Sequence, residues 1–193
     1  MYEEKKFNIT GLKGLSDRQI SEHLKLYAGY VKNTNELLEK IRIGVAQGMD
    51  AYTLAELRRR MGFEFNGMRL HEYYFKQFET GTAFDGQELK SAILAVWGSL
   101  DAWRSEVSGA ALARGTGWVL LLRDRAINKL MVQWVSDHDM GMIAGVDVIM
   151  ALDVWEHAYL LDYLPSGRKE YLTAFFENLN WSILESRFER TEK

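Results

Sequence analysis

The hydrophobic pattern of this chain changes its period, and that change limits the folds it can adopt. Before Gly115 the apolar residues recur at helical spacing, whereas after it they form short runs that are typical of β-strands. From Arg168 to Arg187 the helical spacing returns. Helices followed by a small antiparallel sheet with further helices around it are the order expected of an α+β protein.

Three helical segments are predicted before Gly115. The first begins at Ser16, a residue type that favours helix N-caps, and it is long enough for one arm of a helical hairpin. The second is predicted over 66–80, with Gly81 as its stop, and the third begins near Asp85. The glycine-containing stretch 81–86 is the best candidate for a boundary between two halves.

Three strands are predicted in the second half, over 117–124, 129–135 and 146–152. The first two are separated by a short turn and are expected to pair. The third leads directly into Asp153 and His157, which are the most distinctive polar residues of this region.

The composition excludes several kinds of site. The chain has 193 residues and no cysteine, so thiol catalysis, zinc fingers, iron–sulfur clusters and c-type haem attachment are ruled out. The formal net charge is −3, so the excess of basic residues that is typical of nucleic-acid-binding domains is absent. No apolar run reaches the roughly 18 residues that a membrane-spanning helix needs. The first residues, 1–6, lack the order of a secretory signal, so a cytoplasmic location is expected.

Four histidines and one aspartate are the candidates for a metal site. Asp153 and His157 are four residues apart directly after a strand, so one turn of chain can direct a carboxylate and an imidazole at the same point. His71 lies on the aromatic face of the second helix and His23 within the first, while His138 follows the second strand. Imidazole and carboxylate ligands without thiolate suit iron, manganese or zinc.

The run Asp153-Val-Trp-Glu-His-Ala-Tyr159 resembles the signature of the iron/manganese superoxide dismutases, and Gly115-Thr-Gly-Trp-Val119 and Lys25-Leu-Tyr-Ala-Gly-Tyr-Val31 resemble other parts of that family. The resemblance implies an N-terminal antiparallel helical hairpin, residues 1–83. An α/β domain with a three-stranded antiparallel sheet, residues 84–193, is expected to follow it. It further implies one iron or manganese ion per subunit at their junction, and conversion of superoxide to oxygen and hydrogen peroxide.

The resemblance also implies which residues bind the metal. His71, Asp153 and His157 match three ligand positions of the family. Counting back eight residues from Tyr30, as the family's spacing asks, leads to Glu22, whereas His23 is seven residues back. A helix shortened by one residue would rotate His23 into place, so we expect His23 as the first ligand, with Glu22 as the alternative.

Residues around the metal are implied in the same way. Tyr30 matches the family's gateway tyrosine. A glutamine of the family usually contacts the metal-bound solvent. At its helix position this chain has Gly67, which cannot serve, and at its strand position it has His138, which we assign that role. Trp118 and Trp155 resemble the aromatic cage of the site.

The resemblance also implies which residues contact the partner subunit and which attract the substrate. Glu156 matches the residue that reaches across the family's dimer to a ligand histidine, with Tyr159 beside it, so a homodimer through the metal-site face is expected. Lys25 and Arg168 resemble the family's cations at the substrate entrance.

The sequence leaves two other functions open. One is a metal-binding homologue of the family whose redox activity is weak, lost or altered, because glutamine is replaced and the second helix is shorter. The other is a helical interaction protein whose histidines are incidental. Iron and manganese are both compatible with the ligand set.

Overall fold

Two long helices form the first half of the structure. The computed structural model describes residues 1–80 and 87–190. In it α1 spans Asp17–Ala46 and α2 spans Ala51–Lys76. The two helices form an antiparallel hairpin. Contacts along it pair later residues of α1 with earlier residues of α2, namely Gly44 with Leu54, Asn33 with Glu64 and Tyr27 with Glu72.

The predicted start of the second helix was wrong. It begins 15 residues before Asn66, at Ala51, with the Asp50 side chain accepting a hydrogen bond from the Thr53 amide. This part of α2 lies in the outer end of the hairpin, where most side chains are exposed, so it needs no continuous apolar stripe. An N-cap and surface ion pairs such as Arg59–Glu56 support it instead.

Two of the predicted helices are each divided in two. The third predicted helix is α3, Glu88–Trp97, and α4, Leu100–Ala111, separated by Gly98 in the left-handed conformation with φ of 76°. The C-terminal helix is α5, Arg168–Glu177, and α6, Trp181–Arg190. The predicted boundary at 81–86 and the division between residues 83 and 84 lie outside the described residues.

The three predicted strands are confirmed to within one residue. They are β1, Gly117–Asp124, β2, Lys129–Ser136, and β3, Val146–Asp153. The sheet is antiparallel with β1 in the centre, in the order β2-β1-β3. Asp153 ends β3 opposite Trp118 of β1, so the register of the sheet sets the position of this aspartate.

The hairpin and the sheet pack on each other along α2 and β3. The buried side chain of Gln77, which follows α2, donates to the carbonyl of Ala151 at 2.5 Å and accepts from its amide at 3.2 Å. Because β3 is an edge strand, this amide side chain satisfies backbone groups that would otherwise lack a partner. Within the described residues, none of the helices is both long and apolar enough to cross a membrane.

Candidate metal centre

Four side chains from four segments converge between the hairpin and the sheet. One potential ligand atom from each lies within 4.8 Å of the others. The Asp153 carboxylate is central, with its Oδ2 at 3.1 Å from Nε2 of His23, 3.2 Å from Nε2 of His157 and 3.7 Å from Nε2 of His71. The arrangement offers three imidazole nitrogens and one carboxylate oxygen to a single point.

Local structure explains how the pair from the second half is formed. The Asp153 Oδ1 accepts a hydrogen bond from the Trp155 amide at 2.8 Å, two residues later. This is an Asx-type turn, and it ends β3. A short 3₁₀ turn over Glu156–Ala158 follows and brings His157 back over the aspartate. One oxygen of Asp153 therefore shapes the turn, while the other faces the histidines.

The first helix presents His23, and not Glu22, to this cluster. The His23 side chain is fully buried, whereas the Glu22 side chain is 51% exposed and accepts a hydrogen bond from Lys25 at 2.6 Å. Because α1 is uninterrupted from residue 17 to 46, seven residues amount to about two turns, and His23 and Tyr30 share a face. Lys25 is also mainly exposed and bound to Glu22.

Burial and charge make the cluster a strong cation site. Burial raises the pKa of Asp153, but its hydrogen bonds and electrostatic interactions with the neighbouring histidines His157 and His23 outweigh burial and hold that pKa below its usual range. Burial lowers the pKa of both His23 and His71, so these imidazoles are neutral and have a lone pair to donate. The neutral rings of His23 and His71 give this buried carboxylate no positive charge, and a metal cation would supply one.

The orientation of His71 fits a metal ligand. Its Nδ1 donates to the carbonyl of Gly67 at 2.6 Å, which places the lone pair of the neutral ring on Nε2. This Nε2 is buried and has no hydrogen-bond partner within the part of the chain that the structure describes. Buried polar atoms without partners are rare, and a metal ion would satisfy this one.

A hydrogen-bonded chain of three side chains lies beside the cluster. Trp118 Nε1 donates to His138 Nδ1 at 2.9 Å, and His138 Nε2 lies 2.6 Å from the Tyr30 hydroxyl. An indole N–H can only donate, so Nδ1 of His138 is an acceptor. Burial lowers the pKa of His138 to about 4, so the neutral ring has its one proton on Nε2. The Tyr30 oxygen accepts a hydrogen bond from this Nε2–H, so the hydroxyl proton of Tyr30 can be donated to another acceptor.

Aromatic rings enclose these residues. The ring of Tyr30 stacks on His71 at 5.1 Å, and Trp118 packs its edge against His71 at the same centroid distance. Trp155 stacks between His138, at 5.2 Å, and His157, at 5.6 Å. Of the four clustered residues only His157 is partly exposed, with 22% of its side chain accessible, and Tyr30 beside the cluster is also partly exposed.

The remaining residues singled out in the sequence lie farther out. Glu156 is exposed, and Tyr159 is buried with its hydroxyl bound to Arg168. The Arg168 guanidinium also donates to the backbone carbonyls of Ala113 and Gly115. Arg168 therefore connects three segments of the chain, in addition to any effect of its charge.

Three neighbours of the site have structural roles that the sequence did not indicate. Gln19 donates to the carbonyl of His157 at 2.6 Å and accepts from the Leu161 amide, so it holds the 3₁₀ turn. Gly67 contacts both His71 and Tyr30, and the Phe63 ring lies 4.6 Å from that of His138. An isolated glutamine, glycine or phenylalanine on a helix carries no sequence signal for such a role.

The sequence is similar to known proteins over most of its length. Residues 85–187 match the sequence model of the C-terminal domain of the iron/manganese superoxide dismutases. A superoxide dismutase named for iron from Cupriavidus metallidurans is 36% identical over 180 residues, covering 92% of this chain and 90% of that protein. A second superoxide dismutase named for iron, from Aquifex aeolicus, is 35% identical over 191 residues, which cover 94% of this chain and 88% of that protein. A superoxide dismutase named for manganese, from Haloferax volcanii, is 34% identical over 166 residues, which cover 85% of this chain and 81% of that protein.

Proposed function

Because this chain belongs to the iron/manganese superoxide dismutase family, and is thus an oxidoreductase acting on superoxide, we propose that His23, His71, Asp153 and His157 bind its metal. The convergence of three imidazole nitrogens on one buried carboxylate carries this proposal. We further propose one iron or manganese ion per subunit, since the described residues contain one such cluster.

The reaction consumes two superoxide anions and two protons and yields oxygen and hydrogen peroxide. A bound iron or manganese ion supplies the one-electron redox change that both halves of the reaction need. The protein supplies the charge and geometry of the site. Asp153 would provide the single anionic ligand. The hydrogen bond from His71 Nδ1 to the Gly67 carbonyl fixes the His71 ring so that the lone pair on Nε2 faces the metal position.

Tyr30 is the proposed proton donor at the site. Because His138 Nε2–H donates to its oxygen, the hydroxyl proton of Tyr30 points away from His138 and is available to the substrate. Burial raises the pKa of Tyr30 well above its usual value, so the hydroxyl stays protonated at neutral pH. Solvent would return a proton to the partly exposed Tyr30 after each transfer, while the hydrogen bonds of His138 to Tyr30 and Trp118 keep the hydroxyl in position.

An inactive metal-binding homologue is not favoured. The relatives that match 85% or more of this chain carry the names of superoxide dismutases. His138, whose presence in place of the family's glutamine motivated this alternative, is held in position by hydrogen bonds to both Trp118 and Tyr30.

We also propose a homodimer that forms through the face near the metal. Glu156 is exposed beside the site, and Leu160 and Leu161, which follow it, are 41% and 48% exposed. Apolar side chains next to a charged residue suit an interface. Leu161→Glu should shift sedimentation towards a monomer, whereas Leu112→Glu, at an equally exposed leucine, should not. Equal sedimentation of both variants would contradict this interface.

A cytoplasmic location is proposed as well. The chain contains no cysteine, so its stability does not depend on disulfides formed in an oxidising compartment. Cell fractionation with an antibody against the protein would test it, and recovery with a periplasmic or secreted fraction would contradict it.

The ligand assignment is tested by paired substitutions. Purified protein is reconstituted with iron and, separately, with manganese, and metal content and superoxide turnover are measured. His23→Ala should lose metal and activity, while Glu22→Ala, at the adjacent exposed position, should keep both. Metal retained by His23→Ala and lost by Glu22→Ala would overturn the assignment. Absence of turnover in the unaltered protein with either metal would overturn the proposed reaction.

A further inference from the structure

An ion pair lies on α2 close to Tyr30 and His138. The Nε and Nη2 atoms of Arg60 lie 2.9 Å and 2.7 Å from Oε1 of Glu64, four residues later. The two partners differ in their exposure. The Arg60 side chain is 54% exposed, whereas that of Glu64 is 8% exposed and also accepts a hydrogen bond from Asn33. The positive end of the pair therefore faces solvent, and the negative end is buried.

Phe63 connects this cation to the Tyr30–His138 pair. The guanidinium carbon of Arg60 lies 3.8 Å from the centre of the Phe63 ring, within the distance of a cation–π contact. The same ring is 4.6 Å from the His138 ring and 6.1 Å from the Tyr30 ring. One phenylalanine thus separates the positive charge from the residues that lie beside the metal ligands.

Three carboxylates of the described residues act on Tyr30 in the opposite sense to Arg60. Besides burial, the carboxylates of Asp153, Glu64 and Asp137 raise the pKa of Tyr30, and the positive charge of Arg60 opposes them. Arg60 likewise adds to the effect of burial in lowering the pKa of His138. Both residues are therefore within electrostatic range of the guanidinium. Without Arg60, the buried carboxylate of Glu64 would lose its cationic partner, and its charge would repel a superoxide anion approaching Tyr30.

The two cations that the family resemblance suggested make contacts in other parts of the described structure. Lys25 is bound to Glu22, and Arg168 donates to Tyr159 and to backbone carbonyls. We propose that Arg60 guides superoxide to the Tyr30–His138 side of the site and neutralises Glu64 there. This inference rests on the proposed function, since it concerns how the same substrate reaches the same site.

Arg59 provides a matched control. It is the preceding residue of α2, its side chain is 77% exposed, and it forms an ion pair with Glu56 at 2.6 Å. Arg60→Gln and Arg59→Gln therefore remove the same charge from the same helix, and Glu64→Gln removes the opposite charge. Arg60→Lys keeps the charge but loses the planar geometry of the guanidinium.

The test measures kcat/KM for superoxide by pulse radiolysis at several ionic strengths, on metal-loaded protein of matched metal content. Arg60→Gln should lower kcat/KM about three- to tenfold at low salt, and the loss should vanish at high salt as the charge is screened. Arg60→Lys should restore most of the rate. Glu64→Gln should raise it, and Arg59→Gln should leave it unchanged.

A second readout does not depend on turnover. Azide, a small anion, is titrated into the iron-loaded protein and its dissociation constant is read from the absorption spectrum. We expect weaker binding in Arg60→Gln than in Arg59→Gln. If the two variants behave alike, or if the loss persists at high salt, the guiding role of Arg60 is wrong while the proposed reaction stands. An inactive unaltered protein would refute the proposed reaction itself.

Discussion

Gly67 shows how much one residue contributes to this site. Its carbonyl holds the His71 ring, and its missing side chain makes room for Tyr30. A Cβ built at this position would lie 2.6 Å from Cδ1 of Tyr30 and 2.8 Å from Cε1. Contacts that short do not occur, so the glycine is required by the close approach of α1 to α2 and not by its own backbone conformation.

Substitution of this glycine is expected to displace the tyrosine. Gly67→Ala should move the Tyr30 ring away from His138 and lower kcat about tenfold or more, while the metal is retained. Gly29→Ala is the control, because it adds the same methyl group beside Tyr30 where nothing lies within 4 Å. It should leave kcat unchanged and stabilise α1 by about 0.5–1 kcal/mol. Equal activities of the two variants would contradict this account.

The hydrogen-bond directions at His138 give a second prediction at this scale. His138→Gln keeps one acceptor for Trp118 and one donor for Tyr30, whereas His138→Leu offers neither. The leucine variant should lose roughly 1–3 kcal/mol of stability, because the Trp118 N–H is left buried and unpaired. Its turnover should fall roughly tenfold or more. Thermal unfolding and pulse radiolysis measure both effects, and a glutamine variant as weak as the leucine variant would refute the assigned directions.

At the scale of elements, the contact between α2 and β3 connects the two halves. The Gln77 side chain bonds to both backbone groups of Ala151, two residues before Asp153. A further connection comes from α6, where Arg187 donates to the carbonyls of Tyr73 in α2 and Ile149 in β3. These bonds keep the helix that carries His71 in register with the strand that carries Asp153.

Removal of the Gln77 side chain is expected to weaken this contact. Gln77→Ala leaves a buried amide and a buried carbonyl without their partner, which costs about 2–4 kcal/mol. Urea unfolding monitored by circular dichroism measures the change. Gln47→Ala removes a glutamine from the equivalent C-cap of α1, where the residue is exposed, and should have little effect. A comparable loss in both variants would mean that the bonds to Ala151 add no stability.

At the scale of the whole molecule, the proposed metal centre connects segments that are far apart in sequence. His23 and Asp153 are separated by 130 residues and come from opposite halves of the chain. The cluster also holds a carboxylate that is wholly buried. A bound cation would therefore stabilise the folded protein by binding it and not the unfolded chain.

Removal of the metal should lower the unfolding temperature by roughly 10 °C, given a stabilisation of about 4 kcal/mol when the ion is in thousandfold excess over its dissociation constant. Differential scanning calorimetry of metal-loaded and chelator-treated protein measures the difference. In Asp153→Asn the carboxylate charge is absent, and the two preparations should unfold at similar temperatures. An unfolding temperature that does not respond to metal in the unaltered protein would contradict a shared site.

Local sequence patterns predicted much of this fold. The three strands and the start of α1 follow from apolar runs, turns and an N-cap, which depend on neighbouring residues. The outer half of α2 was missed, because exposed helix has little apolar periodicity. The breaks at Gly98 and before Trp181 were also missed, since the apolar spacing continues across them.

The sequence by itself determined that Asp153 and His157 can share one point, because four residues and a turn are enough to bring them together. Only the tertiary structure decided that His23 rather than Glu22 joins them, that Gly67 leaves space for Tyr30, and that Arg60 lies near His138. The rotation of a helix about its axis is set by the side chains packed against it. Those side chains belong to segments far away in the chain, so spacing along one segment does not reveal them.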